Sequence, residues 1–309
     1  MTTRALVISN MRPDARAPAR GSFVRDQVAA LRTIPGLDVD LYEFAPGALS
    51  YPLAAARLRR RYRGSPLDVV HAHFGLTQWP ALAVPATARV LTLHGTDLRH
   101  PRTRAITERA LRRVDLVATV SESLAELLPD WLAAERRAVL PCGVNLDRFR
   151  PIPRHQARVA LGLDPERACL LFPADPARTV KRHDLALAVA GDVPLLTAGA
   201  VEPDQMPLWI NAANAVLVPS DAEGFGLGVL EALACNVPVL ATPVGIHATV
   251  LKGVPGTLCE PFHLDRWRSA LEPHLQSDDP RVEGRERAEE FGSKRMALRV
   301  AEAWQRLLT

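Results

Sequence analysis

Short apolar runs recur along the chain, separated by segments whose apolar positions repeat with the period of about 3.6 residues that marks a helix. Residues 5–8, 39–42, 68–73, 89–93 and 116–120 read as strands. Residues 23–31 read as a helix, and Ser121 is placed to cap another over 122–128, with Glu122 in its first turn. Residues 138–145 break this rhythm: a proline, a glycine and an asparagine lead into a stretch holding Pro151 and Pro153, which reads as a linker. The alternation then restarts at 169–172, 185–190, 194–198, 215–218 and 237–241, and a helical tail follows over 283–308. Strands that alternate with helices predict βαβ units. The expected fold class is therefore α/β: two doubly wound, Rossmann-like domains with parallel sheets facing across a cleft. The expected boundaries are 1–143 for the first domain and 144–290 for the second. The last helix, 291–309, is expected to return toward the first domain.

Length and composition fit this reading. The chain has 309 residues, 48% of them apolar, which suffices for two cores. No apolar run approaches the roughly 18 residues of a membrane span, and the opening residues read as strand and loop rather than a signal peptide. Four scattered cysteines without a C-x-x-C pair suggest a reducing, cytoplasmic setting and no zinc site. Charge is unevenly spread. Residues 1–150 carry 22 Arg and no Lys against 14 acidic residues, a balance of +8, whereas the remainder holds 16 basic and 20 acidic residues, a balance of −4. A basic half suits an anionic partner. Nucleic acid is not expected, because few aromatics interleave with the arginines. The cluster from Arg57 to Arg63 reads either as a solvated helix end or as a basic face that touches anionic lipid.

The densest chemistry lies in DAEGFGLGVLEALACNVPVLATPVG, residues 221–245. A buried strand ends at Val218, a loop carries Glu223 and Gly224, and a helix begins at Gly226 or Leu227. A helix start at a strand's carboxyl end offers backbone N–H groups and a positive dipole to a phosphate. Glycines let the backbone approach a ligand closely. Glu223 stands just before that helix, and Glu231 lies one to two turns inside it, where a carboxylate can accept ribose hydroxyls. The plainer alternative is a helix cap and a solvated helix residue. Two other patterns carry less. Asp38-Val39-Asp40 matches a metal-binding D-x-D but sits in a strand of period two, which reads as a solvated face. His71 and His73 share a strand face without nearby carboxylates or cysteines, so packing or acceptor contact is expected rather than zinc.

The 221–245 stretch resembles the E-x7-E motif of the retaining, two-Rossmann nucleotide-sugar glycosyltransferases of family 4. So do ANAVLVPS, TLHGTDLRH, VSESLAELL, LPCGVNLDRFRP and ARGSFVRDQVAAL, so that the resemblance covers nearly the whole chain. It departs from the family's usual text at Cys142, Asn145 and Asn214. The resemblance implies a metal-independent, retaining transfer of a hexosyl or N-acetylhexosaminyl group from a UDP- or GDP-sugar, with no bound cofactor. Glu223 and His94 would be catalytic, with Glu223, Gly224 and Glu231 holding the donor's sugar and ribose. Arg178, Lys181, Gly21, Phe225, Gly226 and Leu227 would receive the diphosphate. Arg178 stands only three residues before Lys181, closer than the family usually places its arginine. Lys181 is one of three lysines among 35 arginines, a point charge suited to a leaving diphosphate. The acceptor would be a glycan, a lipid-linked sugar or a small molecule, with peripheral membrane contact in the lipid case. A nucleotide-sugar-binding protein without catalysis, or an epimerase or phosphorylase of the same architecture, is the alternative. A dinucleotide oxidoreductase is disfavoured, because Asn10-Met11-Arg12-Pro13 stands where G-x-G-x-x-G would follow the first strand.

Overall fold

The computed structural model describes residues 2–309, which divide into two compact units. Unit 1 comprises residues up to Asp14, Arg20–Gly143 and Ser293–Thr309; unit 2 comprises Ala15–Ala19 and Val144–Gly292.

Unit 1 is built on six parallel strands: β1 (Thr3–Ser9), β2 (Leu37–Glu43), β3 (Leu67–His73), β4 (Ala86–Leu93), β5 (Leu116–Thr119) and β6 (Arg137–Val139). Their order in the sheet is β2-β1-β3-β4-β5-β6. The central strands are buried on both faces, as a parallel sheet between helix layers requires. Each face has its own apolar cluster. One joins Val7, Val28, Leu31 and Val90 to Met296, Val300 and Trp304 of the last helix, Ser293–Leu308. The other joins Leu6, Ile8, Val70 and Leu93 to Ala54 and Leu58 of the helix Ser50–Arg61.

Unit 2 repeats the plan with five parallel strands: β7 (Leu170–Phe172), β8 (Leu195–Thr197), β9 (Ala215–Val218), β10 (Val239–Ala241) and β11 (Leu258–Cys259). They are ordered β11-β10-β9-β7-β8. The chain runs from β7 outward to β8, then returns to place β9 on β7's other side. The loops after β7 and β9 therefore flank a topological switch point, where a doubly wound sheet opens a crevice at its carboxyl edge. In unit 1 the corresponding switch lies between β1 and β3.

Both predicted doubly wound sheets are present, and three local readings change. Residues 138 and 139, at the start of the predicted linker, belong with Arg137 to edge strand β6, which pairs with β5. Arg137 hides the signal, because its guanidinium turns back to the carbonyls of Leu132 and Pro129. The predicted helix over 122–128 is one turn, Glu122–Ala125, and Ser121 Oγ meets Ser123 Oγ instead of capping it. The tail breaks into Arg285–Glu289 and Ser293–Leu308, because Val144 bridges to Gly292 in the gap between them.

The departures at Asn145 and Asn214 have structural uses. Asn145 Oδ1 accepts the N–H groups of Asp147 and Arg148 and forms the turn that an aspartate would form. Asn214 is fully buried: its Oδ1 accepts from the buried Arg158 guanidinium at 2.8 Å, while its Nδ2 donates to the carbonyl of His274. A carboxylate could not make that last bond.

Trp304 is fully buried and is the furthest-reaching anchor of the last helix. Replacing it by Ala should cost about 3–5 kcal/mol, measurable by urea unfolding of the full chain.

Candidate functional site

The switch-point loops of unit 2 bring Lys181 to Glu223. Lys181 ends a short turn, Thr179–Lys181, in the loop after β7; Glu223 lies in the loop after β9. The ammonium donates to both carboxylate oxygens, at 2.6 and 2.5 Å, and Ser220 Oγ donates to Oε1 at 2.8 Å. Both side chains are largely withdrawn from water, Lys181 at 13% and Glu223 at 9% exposed. Burial alone would raise the Glu223 carboxyl. Lys181 and Ser220 outweigh that and hold it below the usual carboxylate range, so Glu223 is an anion at neutral pH.

The loop's shape depends on glycine at two points. Gly226 precedes the helix Leu227–Ala234 with φ of +116°, and a Cβ there would lie 2.5 Å from His247 Nε2. Gly245 has φ of +60°, and its Cβ would lie 2.2 Å from the Phe225 carbonyl oxygen. The Ile246 N–H donates to that same oxygen and pins the loop from beneath. No side chain caps the helix; the Val229 N–H turns back to the Gly226 carbonyl, and the start of the helix at Leu227 and Gly228 carries no side-chain cap. Glu231 follows on the second turn, half-buried. Arg178 is exposed, but its charge reaches Lys181 and opposes that ammonium. The structure thus brings together Glu223, Lys181 and the Gly224–Leu227 backbone, with Arg178 at the margin.

His247, Ser220 and Thr242 were missed from sequence. His247 is fully buried; its Nδ1 bonds the Thr242 carbonyl oxygen at 2.9 Å, and the Thr242 hydroxyl donates to the Ser220 carbonyl. Because a carbonyl can only accept, His247 carries its proton on Nδ1, and the Nε2 lone pair lies buried without a partner, against Gly226.

In unit 1, His94 follows β4. Its ring lies between Phe23, 5.0 Å away, and Phe74, 4.5 Å away, with His73 stacked at 5.2 Å. Phe74 has a φ of +71°, an uncommon conformation for a side chain of its size. Asp97 ties the turns together: Oδ1 accepts the Gly75 N–H at 2.8 Å and Oδ2 the His94 N–H at 2.7 Å. Its spacing of three from His94 was a readable signal for this turn. Gly21 begins the helix that carries Phe23, with φ of +71°; a Cβ there would lie 2.4 Å from the Met11 carbonyl oxygen.

The histidines form a row. Trp304 Nε1 donates to His71 Nδ1, so the His71 proton is on Nε2, which donates to Thr92 Oγ1 at 2.7 Å. His73 Nδ1 and His94 Nε2 share one hydrogen bond at 3.0 Å. Burial pushes all three rings toward the neutral form, His73 down to about 3. His71 and His73 lie in the core, whereas His94 is only partly buried, and among the described residues no three His, Cys, Asp or Glu side chains gather as metal ligands would. Of the D-x-D pair, Asp40 is engaged: it accepts from Arg61 at 2.5 Å and Tyr62 at 2.6 Å, while Asp38 is exposed.

The unfolded chain protonates histidine near pH 6.5, whereas the folded unit refuses those protons. Stability should therefore be full above pH 6.5 and fall as the pH drops from there toward 3. At pH 5 the loss from His73 alone should be on the order of 2 kcal/mol. Urea midpoints at pH 7.5 and 5 should show it, and His73→Asn should remove about that part of the difference while the other buried histidines keep theirs.

Two family profiles match the chain: Glycosyltransferase Family 4 over residues 3–148 and Glycosyl transferases group 1 over residues 170–277. The D-inositol 3-phosphate glycosyltransferase of Pseudarthrobacter chlorophenolicus is 31% identical over 80% of this chain and 73% of its own length. That of Mycobacterium marinum is 28% identical over 84% of this chain and 66% of its own. Among solved structures, sucrose-phosphate synthase from Thermosynechococcus elongatus has a TM-score of 0.75 at 19% identity, covering 99% of both chains. Anabaena HepE in complex with UDP-glucose has a TM-score of 0.74 at 16% identity, covering 98% of this chain and all of that one. At such identities the likeness is one of fold.

Proposed function

The chain belongs to glycosyltransferase family 4, and from that premise we propose that it moves a sugar from a nucleoside-diphosphate sugar to a hydroxyl acceptor, retaining the anomeric configuration and using no metal. The observation that carries this reading is the Lys181–Glu223 pair at the switch point, beside the open start of the helix Leu227–Ala234. Departure of the nucleotide puts negative charge on a diphosphate and positive charge on the anomeric carbon. Lys181, the amides around Phe225-Gly226-Leu227 and the flanking Arg178 answer the first; the Glu223 anion answers the second. Glu223 and Gly224 contact the sugar, and Glu231 holds the ribose hydroxyls. Gly21 permits the left-handed turn, packed against Met11, from which a helix N-terminus is offered to a phosphate.

His94 acts as a neutral hydrogen-bonding contact for the transferred sugar. Its Nε2 is taken by His73, which leaves Nδ1 for a ligand. If His73 supplies the shared proton, its buried Nε2 keeps only a lone pair, which avoids an orphaned N–H; His94 Nδ1 is then a donor.

The UDP-bound neighbour favours a UDP-sugar donor, hexosyl or N-acetylhexosaminyl, and the inositol-phosphate relatives favour a polar or phosphorylated acceptor. A lipid-linked acceptor at the inner face of a membrane is the second reading. Arg57, Arg59, Arg60 and Arg63 are exposed at the end of the helix Ser50–Arg61, and Leu49 and Leu53 are 78% and 55% exposed at its start. A helix that offers both basic and apolar side chains to solvent suits an anionic lipid surface.

Glu223→Gln should lower transfer by at least a hundredfold while the fold is kept, as followed by release of nucleoside diphosphate from UDP-glucose, GDP-mannose and their N-acetyl counterparts. Transfer at the normal rate would refute the assignment. Replacing the four exposed arginines with Gln should reduce sedimentation with anionic vesicles without changing the thermal shift produced by UDP. Unchanged sedimentation would remove the membrane reading.

A further inference from the structure

We propose that the Lys181–Glu223 ion pair is a latch through which the site selects a nucleotide that carries a sugar over the bare nucleoside diphosphate; this rests on the donor-site reading above. Lys181 commits its ammonium to both oxygens of Glu223, and Ser220 adds a third hydrogen bond to that carboxylate. Each charge is the other's principal partner, and each is largely out of water.

A diphosphate that draws Lys181 toward itself leaves Glu223 as a buried carboxylate with only Ser220 to donate to it, beside new negative charge. An uncompensated buried charge is among the most costly local changes a protein can suffer. A donor that still carries its sugar avoids that state. Its hydroxyls donate to Glu223 as Lys181 turns to the phosphates, so both charges exchange one set of hydrogen bonds for another. Once the sugar has left, the carboxylate again has only Ser220 as a donor, and re-forming the pair opposes retention of the spent nucleotide. The same two side chains that serve the transition state thus also favour loading and product release. The floor of the site allows no easy substitute for Lys181. His247 is proton-bound at Nδ1 to the Thr242 carbonyl and presents only a lone pair on the Gly226 side, so it cannot donate to Glu223 in its neutral form.

The test uses inorganic pyrophosphate, which carries the shared chemistry without a base, in calorimetric titrations of the full chain. Glu223→Gln keeps the shape and the Ser220 contact and frees Lys181, so it should bind pyrophosphate about tenfold tighter than the natural chain while losing transfer. In a Lys181→Met background the same Glu223→Gln change should give little gain. An equal gain in both backgrounds would mean simple repulsion by the carboxylate and overturn the latch, and so would no gain in either. Should Lys181→Met fail to fold, the affinity ratio of UDP-glucose to UDP decides. It should be large in the natural chain and collapse in Glu223→Gln; an unchanged ratio overturns the proposal. If the natural chain binds neither pyrophosphate nor any of UDP, GDP, ADP and dTDP, the donor-site reading itself falls.

Discussion

A buried carboxylate needs a partner, and around Glu223 much of unit 2's carboxyl edge is arranged to supply one. Taking an ion out of water costs several kcal/mol even after relaxation. The chain meets that cost with a lysine from the neighbouring loop and a serine three residues upstream. Both loops spring from β7 and β9, adjacent strands reached from opposite directions, so the sheet topology itself brings the two charges together. Gly226 and Gly245 then follow as necessities. The loop that carries Glu223 must turn back over residues 242–247, and a Cβ at either glycine would collide with His247 or the Phe225 carbonyl.

The two units solve different electrostatic problems. In unit 2 opposite charges are kept and paired. In unit 1 titratable rings are kept and discharged: three stacked histidines, enclosed by Phe23, Phe74 and Trp304, stay neutral because burial opposes their protonation. A neutral imidazole has one donor and one acceptor, so a partner fixed at one nitrogen sets the role of the other. Trp304 fixes one end at His71, and the last helix thereby reaches the polar interior of the first sheet as well as its apolar layer.

Much of this was legible in the sequence wherever burial is two-sided. Strands such as Ala5-Leu6-Val7-Ile8 and Ala215-Val216-Leu217-Val218 are continuous apolar runs because helices cover both faces, and they mark the two sheets directly. Glu223 was legible because its loop carries glycines between a strand and a helix. Edge strands were not: β6 is half-exposed, and β11 is two residues long. The helices Arg154–Ala160 and Leu264–Leu275 also went unread, the second containing Pro273 near its end. Partnerships across long separations leave no local trace. Nothing in the spacing of Lys181 and Glu223, 42 residues apart, announces that they touch. His247 reads as an isolated histidine until Gly226 is seen lying against it.

The need for both signs of charge in one place explains why the pair is not replaced by something cheaper. A hydrophobic pair of the same volume would often fold as well or better than a buried ion pair. Breaking a bond between an anomeric carbon and a diphosphate separates charge, however, and a site that lowers that barrier must offer an anion to one fragment and a cation to the other, within a few ångströms. Under the proposed reading Lys181 and Glu223 are that cation and that anion, and their direct bond shows how closely the loops after β7 and β9 hold them together.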